Sequence, residues 1–219
     1  MGRSTRLLIA GPLLATAVAT LPAKAQQQPQ WQTLDQVMAE GLDSAQTWRQ
    51  RWSLFFAGSA AFSALSSATA ETQADEYDAR VRAITSTLGL LDTIIKTPPH
   101  LAAYQDHHAI DRDGTGALDD ARRNARALAR AEQSRTGWRG RVGSLIVNSG
   151  AYHAIAEGDG RHDDALQVAV TGMLVNEIKL WTFPRTMSEA NVIGIGQAAV
   201  KVRTNVYLTA NGIGAQLRF

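Results

Sequence analysis

WRQRWSLFFAGSAAFSA at residues 48–64 and WRGRVGSLIVNSGAYHA at residues 138–154 share the order of their tryptophan, arginine, aromatic and alanine positions. Each copy is followed, after a polar break, by a second matching block. The spacing between matched positions changes only at that break, where a loop insertion would fall. The sequence therefore predicts a duplicated two-helix unit. The matched pairs of the second block are Ala79 with Ala165, Ala83 with Ala169, Thr85 with Thr171, Leu88 with Leu174 and Pro98 with Pro184.

The spacing of apolar residues sets the fold class. They recur every three or four residues through both blocks, which is typical of helices that bury one face. Near the C-terminus, residues 192–202 and 206–219 are rich in valine, isoleucine and glycine, and Thr204-Asn205 is a candidate turn between two strands. We predict a mainly α protein, in which two αα-hairpin repeats form a four-helix bundle and a β-hairpin ends the chain.

The first residues have the pattern of a secretory leader. Arg3 and Arg6 precede an apolar run, and Ala23-Lys24-Ala25 supplies the small residues that a signal peptidase reads. This pattern predicts export to the periplasm or the cell-envelope membrane of a Gram-negative-type bacterium. The predicted organisation is a signal peptide at 1–25, a flexible lead-in at 26–32, the first helical repeat at 33–99, a polar connection at 100–116, the second repeat at 117–186 and the β-hairpin at 187–219.

Charge gives no support for a nucleic-acid-binding protein, and the cysteine content excludes a disulfide-stabilised one. The chain has 22 basic and 20 acidic side chains, and three of the basic ones lie in the leader. The remainder is nearly balanced, so its charge gives no reason to expect a nucleic-acid partner. There is no cysteine, and therefore no disulfide framework.

An acidic loop lies between the repeats. The run DRDGTGALD at residues 111–119 resembles the calcium loop of EF-hand proteins. The resemblance implies calcium as the one candidate cofactor. It departs from the family at the twelfth position, where Arg122 replaces the glutamate that supplies two oxygens. An aspartate- and glycine-rich turn before a helix is the alternative. The candidate ligands are Asp111, Asp113, Thr115 and Asp119.

Four polar side chains fall within predicted helices and form a candidate buried polar site. Asp92 and Glu177 lie near the ends of the second-block helices, where they would face one another as parts of ion pairs or as an ion site. Asn148 and His153 lie in an otherwise apolar helix, as a satisfied core pair or as catalytic groups. We assign no catalytic residue from the sequence.

The start of each repeat has the composition of a membrane-interface anchor. Tryptophan beside arginine at the mouth of an apolar helix is typical of such anchors, although tryptophan is also a large core residue. The candidate interface residues are Trp48, Arg49, Arg51, Trp138, Arg139 and Arg141.

These features favour a non-enzymatic, membrane-associated envelope protein with a structural or interaction role. Its predicted partner is membrane or envelope lipid, with a second copy of the chain or another envelope protein as further candidates. One alternative is a soluble periplasmic helical domain that binds calcium or a small ligand. Another is a hydrolase or transporter subunit that uses the buried carboxylates.

Overall fold

The computed structural model describes residues 23–190, 203–209 and 212–218, and these are mainly helical, as predicted. The helices are α1 (Ala23–Ala68), α2 (Gln73–Ile95), α3 (His100–His108), α4 (Ala117–Thr136), α5 (Trp138–Asp159), α6 (His162–Trp181) and α7 (Thr186–Glu189). Two strands, β1 (Arg203–Thr209) and β2 (Gly212–Arg218), pair antiparallel near the C-terminus.

Helix α1 has 46 residues, and its two halves pack in different surroundings. At 1.5 Å per residue it is about 69 Å long. Its first half packs with α3, α4 and α7 around the larger apolar core, which includes Leu34, Met38, Leu128 and Met187. The second half of α1 packs along α2 instead. The long helix therefore joins the larger core to a second helical layer.

The second layer consists of two helical hairpins. The second half of α1 with α2 forms one, and α5 with α6 forms the other; α2 also packs against α5. A second buried cluster, which includes Val81, Ile155 and Ala165, joins the two hairpins. We call these four segments (residues 48–68, α2, α5 and α6) the hairpin bundle.

Local sequence explains where these helices start and stop. The hydroxyl of Thr72 accepts a hydrogen bond from the Asp75 amide at 3.1 Å and so caps the start of α2. Gly160 has a φ of +68°, and this left-handed conformation ends α5 at little steric cost because glycine lacks a Cβ. Both short turns hold the helices of a hairpin antiparallel.

The structure differs from the sequence prediction in two segments that were expected to lack regular structure. Residues 26–32 belong to α1, and Trp31 in that segment is buried in the larger core. Residues 100–116 include α3, whose His100 and His107 are both buried. Each of these histidines pairs with a carboxylate, so its ring can be buried in the core although it is polar.

The C-terminal strands also differ from the prediction in position. Thr204 and Asn205, the expected turn, lie within β1 opposite Leu217 and Gln216. The register instead brings Thr209 opposite Gly212 at the ends of the strands. The predicted strand at 192–202 and most of the predicted signal peptide (residues 1–22) lie outside the described residues.

Candidate functional site: a hairpin bundle with an apolar exterior and charged ends

The four segments of the hairpin bundle run in alternating directions, so each end of the bundle gathers residues from all of them. At one end, the Trp48 indole donates a hydrogen bond to the Lys179 carbonyl at 3.2 Å, and Arg49 donates to the Ile94 carbonyl at 2.9 Å. At the other end, the Tyr77 hydroxyl donates to the Ala154 carbonyl at 2.9 Å. These contacts show which charged side chains share an end.

The two ends carry opposite charge. The first end, which we call the cationic end, has more basic than acidic residues, and the second, the anionic end, has more acidic than basic ones. Opposite charges concentrated at opposite ends give the bundle an electric dipole along its long axis. The cationic end holds Arg49, Arg51, Lys96, Arg135, Arg139, Arg141, Lys179 and Arg185 with Asp92, Glu177 and Glu189. The anionic end holds Glu71, Asp75, Glu76, Asp78, Glu157, Asp163 and Asp164 with Arg80 and Arg161.

Between the two ends, the bundle has an uncharged middle. Residues 52–70, 83–91, 142–156 and 165–176 contain no Asp, Glu, Lys or Arg. Their outward positions are large and apolar, and many are more than half exposed. An exposed apolar surface of this extent is typical of a contact with lipid or another protein. The more than half-exposed members are Leu54, Phe62, Leu65, Ile84, Leu145, Ile146, Leu166 and Leu174.

The interior of the same bundle contains polar side chains as well as its apolar cluster. Ser63 and Asn148 are buried, and the Asn148 amide donates to the Ser144 carbonyl at 2.8 Å and to its hydroxyl at 2.9 Å. A cavity of about 820 Å³ lies between the helices and is lined by further serine, threonine, asparagine and glutamine side chains together with apolar ones, including Phe56, Phe62 and Ile146. The bundle therefore has large apolar side chains on its exterior, and inside it polar side chains lie beside the buried cluster of Val81, Ile155 and Ala165.

An ion cluster closes the cavity at the cationic end. Asp92 accepts a hydrogen bond from Lys179 at 2.8 Å and forms a closer pair with Lys96. Burial opposes ionisation of Asp92, but hydrogen bonds and charges from Lys179 and Lys96 outweigh it, so the pKa of Asp92 lies below its ordinary value. Burial lowers the pKa of Lys179, and its bond to Asp92 opposes that shift. Thus Asp92 stays ionised and holds a buried lysine.

The four residues of the predicted buried polar site do not come together. Asp92 lies in the ion cluster, whereas Glu177 is half exposed and accepts two hydrogen bonds from Arg141, at 2.7 and 2.8 Å. Asn148 is buried, but His153, five residues further along α5, is exposed and contacts Tyr152. Five helical positions turn the chain by about 140° relative to the starting residue, which separates the two side chains.

The two tryptophans that begin the repeats have opposite environments. Trp48 is buried and packs edge-on against Phe183 at 5.0 Å, so it is a core residue and not an interface anchor. Trp138 is 69% exposed, with the Arg139 guanidinium 5.9 Å from its ring centre. Trp181, which the sequence did not single out, is 65% exposed at the same end. Of the remaining predicted anchors, Arg51 is exposed and Arg49 binds the end of α2.

The acidic loop before α4 forms a turn through its own backbone. The Asp111 carboxylate accepts a hydrogen bond from the Asp113 amide at 3.1 Å, and Asp119 pairs with Arg122 at 3.2 Å. Thr115 is exposed. Within the ranges that the structure describes, no three histidine or acidic side chains are grouped as metal ligands.

Sequence reasoning missed a buried carboxylate in the larger core. Glu132 is fully buried and accepts hydrogen bonds from His100 Nε2 at 3.0 Å and from the backbone amides of Met187 and Ser188 at 3.1 and 2.7 Å. It thereby fixes α7 against α4. Its burial could have been predicted from helical spacing, because Glu132 falls on the same face of α4 as the apolar residues Ala121, Ala125 and Leu128.

Sequence reasoning also missed an ion-paired carboxylate, Asp35, which joins α1 to α3 and should make the stability of the fold depend on pH. Asp35 binds His107 Nε2 at 2.7 Å and Arg112 at 2.8 Å. Burial opposes ionisation of Asp35, but these hydrogen bonds and charges hold the pKa of its carboxyl below 3.8. The unfolded carboxyl therefore binds more protons, so its stabilisation is complete above pH 3.8 and is lost as pH falls through the folded-state pKa.

We therefore expect Asp35→Asn to flatten the acid limb of the stability curve. Urea unfolding at a series of pH values below 3.8 measures it. The wild-type free energy of unfolding should fall more steeply with decreasing pH than that of the variant. Parallel slopes would show that Asp35 does not have the lowered pKa.

No helix within residues 23–190 has both the length and the hydropathy required to cross a membrane. Comparison with known proteins found no matching family model, no similar curated protein and no similar solved structure.

Proposed function

We propose that this chain is an exported, membrane-associated envelope protein whose hairpin bundle docks on anionic lipid through its cationic end. Its role is structural or interactive, and not enzymatic. The observation that carries the proposal is the pair of exposed tryptophans, Trp138 and Trp181, among arginines at one end of a bundle with an apolar exterior.

The apolar exterior supports a lipid partner. Leu145, Ile146 and Leu174 are each more than half exposed on α5 and α6, in the segments that lead away from the two tryptophans. Tryptophan rings favour the headgroup level of a bilayer, and apolar side chains favour the acyl region below it. Each apolar side chain that leaves water contributes in proportion to the area removed.

The charge of the same end supports an anionic surface. Arg139, Arg141 and Arg185 accompany the tryptophans; Glu177 pairs with Arg141, and Glu189 pairs with Arg185 at 3.2 Å. Each additional basic residue near an anionic membrane surface contributes about 1 kcal/mol. The opposite end carries acidic residues, which anionic headgroups repel. The bundle therefore approaches the membrane with its cationic end first.

The length of the uncharged middle favours an interfacial position over a span. The longest uncharged helical segment, residues 52–68 of α1, is about 26 Å long. The uncharged segment of α5, residues 142–156, is about 22 Å long, and that of α6, residues 165–176, about 18 Å. A bilayer has a hydrocarbon core about 30 Å thick. All three segments are therefore too short to cross the core, but long enough to enter one leaflet.

We also propose that the hairpin bundle arose as a duplicated αα-hairpin and that the C-terminal residues form a β-hairpin. The matching blocks at 48–64 and 138–154 and the pairing of α1 with α2 and of α5 with α6 support the first part. The register of β1 with β2 supports the second.

Vesicle flotation tests the proposed membrane binding. The protein should float with vesicles that contain phosphatidylglycerol and remain at the bottom with pure phosphatidylcholine vesicles. Arg139→Gln should weaken the partition coefficient about fivefold, since it removes one cation worth about 1 kcal/mol at the surface. Arg80→Gln removes an exposed cation from the anionic end and is the matched control.

A double variant tests the tryptophans in the same assay. Trp138→Ala with Trp181→Ala should weaken flotation further than Arg139→Gln, because both exposed rings are removed from the interface. Equal flotation of both vesicle types, or an Arg80→Gln effect as large as that of Arg139→Gln, would contradict docking by the cationic end.

A further inference from the structure

The cavity inside the hairpin bundle has the size of a ligand pocket and opens to solvent beside exposed residues such as Phe62 and Ile146. Its volume is about 820 Å³, and all four segments of the bundle contribute to its wall. Small-molecule pockets are commonly 300–1,000 Å³. It is separate from the exposed surface of Trp138 and Trp181, since neither tryptophan lines it.

The charged side chains of the wall are unbalanced. Arg82, Lys96 and Lys179 line the cavity with a single carboxylate, that of Asp92. Asp92 pairs with both lysines, so one negative charge is shared between two ammonium groups. Arg82 lies on α2 nearer the anionic end. The wall therefore has an excess positive charge of two, which a bound anion would offset, although only Lys179 among the three cations is buried.

The strongest of these cations for binding is Lys179. Its side chain is 6% exposed, and its ammonium is 5.2 Å from the centre of the Phe56 ring. Burial lowers its pKa, and the like charges of Lys96 and Arg135 lower it further. A second anion beside Lys179 would replace lost solvation and relieve this repulsion.

The rest of the wall combines apolar side chains, such as Phe56 and Val175, with groups that can hydrogen-bond to a ligand. Neutral hydroxyl and amide side chains from all four segments face the cavity between the charged positions, and donors and acceptors of this kind match a hydroxylated compound. These side chains include Ser59, Ser63, Thr85, Ser86, Asn148, Gln167, Thr171 and Asn176.

We propose that the cavity binds a small hydroxylated organic anion, whose carboxylate or phosphate contacts Lys96 and Lys179 and whose hydroxyl groups contact the neutral polar wall. The site lies within the bundle and needs no bilayer. Its occupation can therefore be measured without lipid, although Lys96 and Lys179 also belong to the cationic end.

Isothermal titration without lipid tests the site on the whole chain. Glucose 6-phosphate and gluconate supply the two anionic groups on a hydroxylated body, and glucose is the neutral control. At least one of the anions should bind saturably with one site, and glucose should not bind. Binding by glucose 6-phosphate alone would assign the site to phosphate esters, and binding by gluconate alone would assign it to carboxylates.

Matched variants locate the binding. Lys96→Gln removes a cation that is 63% exposed in its side chain, so the fold should persist, and affinity should fall at least about tenfold because a charge-assisted contact is lost. Arg80→Gln, on the same helix but outside the cavity, should leave affinity unchanged. The proposal is overturned if neither anion binds, if glucose binds equally, or if Lys96→Gln binds as the wild type does. Vesicle flotation of the same samples reports membrane docking independently.

Discussion

Replacing Glu132 by alanine is expected to cost about 3–5 kcal/mol of unfolding free energy, because it removes the acceptor of a fully buried ionic hydrogen-bond group. Three donors lose their partner: His100 Nε2 and the amides of Met187 and Ser188. The variant should also release α7 from α4. Urea unfolding followed by circular dichroism measures the loss.

Two further variants separate this effect from the loss of any glutamate. Glu132→Gln keeps an acceptor oxygen in place and should cost less than Glu132→Ala. Glu157→Ala removes an exposed helical glutamate on α5 and should change stability by no more than about 0.5 kcal/mol. If Glu132→Ala and Glu157→Ala were equally stable, Glu132 would not hold the larger core together.

The second large effect is expected at the junction of α4 and α5. A Cβ added to Gly140 would lie 2.2 Å from the Arg135 backbone carbonyl and 3.1 Å from a methyl group of Leu180. The backbone oxygen cannot rotate away as a side chain could, so Gly140→Ala must displace one helix from the other. We expect a loss of about 1–3 kcal/mol, as for other overpacked positions, measured as a lower urea midpoint.

The same substitution elsewhere on α5 should have the opposite sign. A Cβ on Gly150 would meet no heavy atom within 4 Å. Gly150→Ala should therefore gain about 0.4–1 kcal/mol, since alanine loses less backbone entropy on folding than glycine. A Gly140→Ala variant as stable as Gly150→Ala would mean that α4 and α5 do not meet closely at this junction.

The helical class could be predicted from the sequence because local patterns carry it. Apolar spacing, Thr97-Pro98-Pro99 and the glycines between helices all act within a few positions of where they occur. The buried groups of the larger core could not be predicted. His100 and Glu132 are 32 residues apart, and Asp35 and His107 are 72 apart, so nothing local indicates that they pair.

The surroundings of the candidate site residues could not be predicted from the sequence either. Trp48 and Trp138 occupy matched positions in the repeats, yet one is buried against Phe183 and the other is exposed. The difference comes from what each meets in three dimensions, which a repeat alignment does not contain. By contrast, the charge-free segments can be read directly from the sequence. The opposite charges at the two ends of the bundle become visible only when the directions of its helices are known.

The most direct test of the central claim is which end of the bundle enters the lipid. The chain has no cysteine, so one introduced cysteine can carry an environment-sensitive nitrobenzoxadiazole label. Leu174→Cys reports from the α5–α6 surface towards the cationic end, and Glu157→Cys from the anionic end. With phosphatidylglycerol vesicles, the label at position 174 should brighten and shift to the blue, and the label at 157 should not change. An unchanged label at 174, or an equal response at 157, would contradict the account.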